Sequence, residues 1–154
     1  MIDSMTIDFD GIGGITPMGS TYGDVLRLWG NLFHVEHRPA EVLSSGRVIK
    51  PKTFLNFKAM RTMISFSTDE PLQSETPIGM VGAETGCRLR TPKGLHVGLS
   101  KVRARAIASW FYRINRESSR DYVLYLDPLE GDGNTEIGVF FEDNKVDFIG
   151  VYRK

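Results

Sequence analysis

One phrase occurs twice in this chain, and each time it runs into a helical pattern. The first copy is Gly14-Ile15-Thr16-Pro17-Met18-Gly19-Ser20-Thr21, the second Gly94-Leu95-His96-Val97-Gly98-Leu99-Ser100, and their second glycines, Gly19 and Gly98, are 79 residues apart (98 minus 19). In both, glycines bracket an apolar residue just ahead of a hydroxyl that can cap a helix. Two copies at so long a period do not propagate as a solenoid. They predict one compact domain over 1–154, built from two related units at approximately 5–81 and 85–152.

The local chemistry around each phrase sharpens this. Thr21 or Ser20 can accept backbone N–H bonds, and Asp24 follows Thr21 by three positions in the pattern of a capping box. Val25, Leu28 and Trp29 then share one face, and Gly30 supplies a stop. In the second copy Ser100 is the expected cap, and Val102, Ala106, Trp110 and Ile114 recur every four residues with Ile107 and Phe111 beside them. That spacing predicts a helix to about Asn115 with this stripe turned inward and Lys101, Arg103, Arg105 and Arg113 solvated. Trp29, Trp110 and Phe111 are accordingly assigned to the core.

Strand patterns follow each helix. Residues 53–57 and 62–66 alternate, 77–81 is a weaker third, and 6–9 reads as a short early strand. In the second half 122–126, 136–141 and 146–152 repeat the pattern, with Glu142-Asp143-Asn144-Lys145 as a tight turn that imposes antiparallel pairing on the last two. The fold class is therefore α+β: two tandem units of a helix and an antiparallel meander, with the helices on one face. Merging the two meanders into one sheet would bury an edge from each.

The second phrase, its helix and the run Phe141-Glu142-Asp143-Asn144-Lys145-Val146-Asp147-Phe148-Ile149 resemble the helix-plus-sheet repeat of the beta-lactamase-inhibitor-protein-like group, which includes small outer-membrane assembly lipoproteins. Residues 11–29 and 94–149 carry the resemblance. It implies a scaffold that binds proteins, including inhibitory binding to an enzyme. Members of the group often carry secretion or lipid-anchor signals; residues 1–10 have no basic start followed by a long apolar run. The expected location is the cytoplasm, and no segment has the apolar length of a membrane span.

Composition narrows the chemistry. With 19 basic and 19 acidic residues and 41% apolar content, the chain is neither disordered nor globally matched to a polyanion, so nucleic acid is not an expected partner. Cys87 is the single cysteine, which rules out an intrachain disulfide. Gly11-Ile12-Gly13-Gly14 lacks the lysine and hydroxyl ending of a phosphate loop, and Ser100 lacks a nucleophile elbow. His34-Val35-Glu36-His37 lacks metalloprotease spacing, with only His96 elsewhere, and Asp127, Glu130, Asp132, Asn134 and Glu136 do not match a twelve-residue calcium loop. No catalytic set, cofactor or metal is expected.

The leading expectation is a non-catalytic protein-binding module, an inhibitor or immunity protein that covers a partner's site. Phe33, Arg38, Arg88, Arg90, Tyr112, Arg113 and Tyr152 are its candidate interface residues, with Phe33, Tyr112 and Tyr152 placed on an exposed rim. The partner is an unidentified protein, and a homo-oligomer is compatible with the same surface. The alternative is a small cytoplasmic enzyme or ligand-binding protein with a pocket near His34, Glu36, His37 or His96.

Overall fold

The computed structural model describes residues 5–131 and 133–154. The first unit comprises β1 (Ile7–Asp8), β2 (Gly11–Ile12), α1 (Tyr22–Trp29), β3 (His34–Arg38), β4 (Glu41–Val42), β5 (Val48–Ile49), β6 (Lys52–Phe57), β7 (Thr62–Phe66) and β8 (Met80–Ala83). The second comprises α2 (Lys101–Phe111), β9 (Tyr112–Ile114), β10 (Val123–Pro128), β11 (Thr135–Glu142) and β12 (Lys145–Arg153). Eight strands form one antiparallel sheet in the order β3-β6-β7-β8-β12-β11-β10-β9. The meanders have merged, and their last strands meet at the centre, where Gly82 opposes Gly150 and Val81 opposes Val151. Read outward from this pair, each half presents its strands in the same sequence, so the sheet has an approximate two-fold arrangement.

The two glycine phrases do equivalent work. In the first, Ile12 and Ile15 exchange backbone hydrogen bonds of 3.0 and 2.9 Å across Gly13-Gly14. Both glycines have positive φ (+55° and +83°), the geometry of a tight hairpin turn. In the second, the N–H of Thr91 donates to Leu95 O at 2.9 Å and that of Gly94 to Thr91 O at 2.9 Å. Each turn drops one aliphatic side chain, Ile15 or Leu95, into the core with no exposure. Each is then followed by a segment strapped to the approach to its unit's last strand: Tyr22 N–H to Thr76 O at 2.8 Å, and Lys101 N–H to Asn144 O at 2.8 Å.

Helix α1 begins as its sequence dictates. Thr21 Oγ1 accepts the Asp24 N–H at 3.3 Å and Asp24 Oδ2 accepts the Thr21 N–H at 2.9 Å, closing the capping box. The Thr21 N–H, with Arg27 beside it, holds the Asp24 carboxyl below its ordinary range. Val25 is fully buried and Trp29 packs edge-on to Phe57 at 5.3 Å, whereas Leu28 faces outward, 45% exposed. Replacing Thr21 by alanine is expected to cost about 1 kcal/mol, since it removes the Oγ1 that accepts the Asp24 N–H and leaves only the bond from the residue 21 backbone N–H to Asp24 Oδ2. Thermal unfolding should register this as a fall of about 2–4 °C for a chain of this size.

Helix α2 corrects the predicted stripe. Its buried residues are Ala104 and Ala108, while Val102 is 80% and Trp110 70% exposed and Phe111 is only partly covered. Alanines let the helix axis approach the sheet, and a ridge of valine and tryptophan on that side would hold it away. The helix also ends at Phe111, short of Asn115. Tyr112 takes extended backbone and enters β9, whose three residues pair with Pro128, Asp127 and Leu126 of β10. Ile114 is thus a strand residue.

The remaining differences are smaller. The third strand of the first half lies at Met80–Ala83 rather than 77–81, because the Ile78 and Gly79 N–H groups bond to Ser20 O and Ser65 O on either side. Residues 34–38 form an edge strand paired to β6. Both helices contribute to one hydrophobic cluster with Leu55, Ile64, Val81, Ile137, Ile149 and Val151, so they cover the same face of the sheet.

Candidate functional site

Because strand side chains alternate, every residue of the sheet that does not face the helices faces the other way. On that open face Phe54, Met63 and Met80 come from the first unit and Phe140, Phe148 and Tyr152 from the second, and they line a pit of about 480 Å³. Three glycines at paired positions on adjacent strands, Gly82, Gly150 and Gly138, make the pit possible. A Cβ at Gly82 would stand 2.2 Å from the Phe148 ring, and one at Gly150 2.7 Å from the Tyr152 ring. Without side chains there, the rings lie down across the strands in edge contact: Phe140 with Phe148 at 5.9 Å, Tyr125 with Phe140 at 6.1 Å and Tyr125 with Tyr152 at 6.3 Å.

Charge is confined to the rim. The Arg38 guanidinium lies 4.7 Å above the Phe54 ring and its Nε donates to Glu36 Oε1 at 3.2 Å; Lys52 stands beside it, and Asp147 lies across the pit. Burial is the main cause that pushes the Tyr152 phenol far above its ordinary range and raises Tyr125 and Glu136 as well. These phenols are neutral hydrogen-bonding groups on an apolar floor. Such a surface can offer apolar contact and neutral hydrogen bonds; among the described residues that line it, no nucleophile has a base at hydrogen-bonding distance.

The structure brings Arg38 and Tyr152 of the candidate interface to this pit and scatters the rest. Phe33 packs half-buried against Tyr22 and Phe57, whose rings belong to the helical side. Tyr112 is buried instead of lying on an exposed rim: its ring joins the core beneath α2 and its hydroxyl donates to Thr91 Oγ1 at 3.1 Å. Arg113 lies on β9 opposite Asp127, and exposed Arg88 and Arg90 precede the second glycine phrase.

The histidines do not converge. His34 and Glu36 share the open face at its edge, but His37 points to the other face. There its Nδ1 is 2.9 Å from Thr53 Oγ1, which spends its own proton on Thr68 O at 2.8 Å, so His37 is the donor. His96 donates from Nδ1 to Val97 O at 2.9 Å. None of the four lines the pit, and among the described residues no three His, Cys, Asp or Glu side chains are grouped to hold a metal. Of the candidate calcium ligands, Asp127 is paired with the Lys154 ammonium and Asp132 lies outside the described residues. Burial raises the Cys87 thiol above its ordinary range, which disfavours a reactive thiolate. Ser100 Oγ accepts the Arg103 N–H at 3.3 Å, as a helix cap.

Sequence reasoning missed Phe54, Met63, Met80, Phe140 and Phe148. Two strands did carry a signal for them. Phe148-Ile149-Gly150-Val151-Tyr152 and Gly138-Val139-Phe140 both set an aromatic residue two positions from a glycine, hence on the same face as the space it leaves. Comparison with known families, curated proteins and solved structures finds no match to this chain. No helix among the described residues is long and apolar enough to cross a membrane.

Proposed function

We propose that this protein is a non-catalytic binding module whose open sheet face covers a site on a protein partner, in the manner of an inhibitor or immunity protein. The observation that carries the proposal is the pit: both units contribute to it, its floor is aromatic and aliphatic, and an arginine and a lysine stand at its rim. Aromatic anchors surrounded by arginine are the composition of binding hot spots. The resemblance of the doubled phrase to protein-binding scaffolds points the same way. Binding acts here by steric cover, with no bond made or broken.

Ser67 provides the test, because it is exposed and lines the pit. A Ser67→Trp variant fills the pit without entering the core. Tagged wild-type protein, cross-linked in its native cell, should recover a protein that rebinds as a purified component in stoichiometric amount. The variant should bind that component at least roughly tenfold more weakly. Equal affinity for both chains, or failure of any recovered protein to rebind when purified, overturns the reading.

A further inference from the structure

The balanced net charge conceals a strong segregation. Residues 88–120 hold nine of the 19 basic residues and, in Glu117, one of the 19 acidic ones. The segment includes α2, whose outward face bears the exposed Val102 and Trp110. Beside it, where α2 meets the turn after β9, lies a cleft of about 310 Å³. Arg105 and Ser109 form one wall, Arg116, Ser119 and Arg120 the other, and Ile114 and Leu124 the floor.

The three guanidinium groups are prepared to different degrees. Arg105 donates to Asp121 Oδ1 at 3.1 Å, and Asp121 is itself 88% exposed and also holds Lys101 at 3.2 Å. Arg120 is fixed from one side by two 2.8 Å bonds to the carbonyls of Glu117 and Ser119. Arg116 has neither a hydrogen bond nor an ion pair among the described residues, and it lines this cleft and a neighbouring one that ends at the exposed Leu129. An unpaired arginine that lines an aliphatic-floored cleft together with two oriented ones is a site for a carboxylate taken with paired N–H donors.

We propose that the outer face of α2 and this cleft form a second docking surface, which takes an acidic amphipathic segment of a partner protein. Apolar side chains of the segment rest on Val102 and Trp110, and its carboxylates enter among Arg105, Arg116 and Arg120. The charge of the 88–120 segment selects acidic partners, and the exposed tryptophan supplies the anchor that charge alone lacks. A nucleic-acid backbone fits less well, because Asp121 stands at Arg105 and aliphatic side chains floor the cleft where phosphates need an unbroken basic track. The surface lies on the helical side of the sheet and does not depend on the pit of the opposite face.

The test uses the full chain and a labelled peptide in which glutamate and aspartate alternate with leucine and phenylalanine. Anisotropy titration should give saturable binding that weakens with salt. Arg116→Glu and Trp110→Ala should each lower the affinity by roughly tenfold or more, with Ser67→Trp unchanged. Arg116 and Trp110 are both exposed, so thermal unfolding of these variants should match the parent. The proposal fails if the peptide does not saturate, if either the Arg116 or the Trp110 variant binds it as the parent does, or if a peptide with serine in place of leucine and phenylalanine binds equally well. It also fails if oligothymidylate binds more tightly than the peptide, or if the free chain sediments as a dimer that Arg116→Glu dissolves, since the occupant is then nucleic acid or a second copy.

Discussion

A Phe66→Ala variant should unfold at a much lower urea concentration than the parent, with a loss of about 3–5 kcal/mol. Phe66 is fully buried and meets the ring of Tyr22 edge-on at 6.0 Å, so it seats the first turn of α1 on the sheet. Truncation removes the transfer energy of a whole ring and leaves a void between two elements that cannot close on it, because β7 is tied to β6 on one side and β8 on the other. The slope of free energy against urea should stay that of the parent, with only the midpoint moving. A loss below about 1 kcal/mol would mean that α1 resettles over the gap, contrary to the packing described.

The second large effect is expected at Gly11. Its φ of +129° is one that L side chains rarely adopt, and a Cβ there would stand 1.9 Å from the carbonyl oxygen of Ile15. The obstacle is backbone, held by the paired hydrogen bonds between Ile12 and Ile15, and cannot swing aside as a side chain could. Gly11→Ala should therefore cost at least about 3 kcal/mol, combining conformational strain with disruption of the hairpin that carries Ile7, Ile12 and Ile15 into the core. Gly46 has a φ of +86° with nothing within 4 Å of a Cβ, so Gly46→Ala isolates the conformational penalty. Melting temperatures that coincide for the two variants would show that the clash at Gly11 is relieved.

These two sites also mark how far the sequence could be read. Chemistry that acts over a few residues was legible: the Thr21 and Asp24 capping box, the Gly30 stop, and the turn at Asp143 and Asn144, whose φ values of 51° and 61° suit a tight hairpin. Alternation located β6, β7, β11 and β12, because each has one face in the core. The orientation of α2 was not legible. Its i, i+4 apolar pattern is present, but the alanines beneath it match the close approach of helix to sheet, and only the tertiary packing decides between a small inward stripe and a large outward one.

Edge strands escaped for a related reason. Residues 34–38 are all exposed, so no hydrophobic alternation announces them, and their strand conformation comes from pairing with β6. The pit depends on glycines drawn into one row by the pairing of three strands, a coincidence of register that no local window displays. The basic cleft was hidden by arithmetic, since summing charge over the whole chain erased a polarity that the position of α2 restores.

The joining of the two meanders has a consequence for how the molecule is made. Strand β12 follows every other strand in sequence, yet it occupies the middle of the sheet between β8 and β11. While the chain is synthesised, β8 waits with one edge unsatisfied, and the first unit cannot be sealed by anything it contains. Closure of the sheet is thus a late event that depends on contacts far apart in sequence, which are slow to form. A ribosome that stalls before residue 145 would release a chain in which β8 and β11 both lack the strand that joins them, two bare edges on which another such chain can pair.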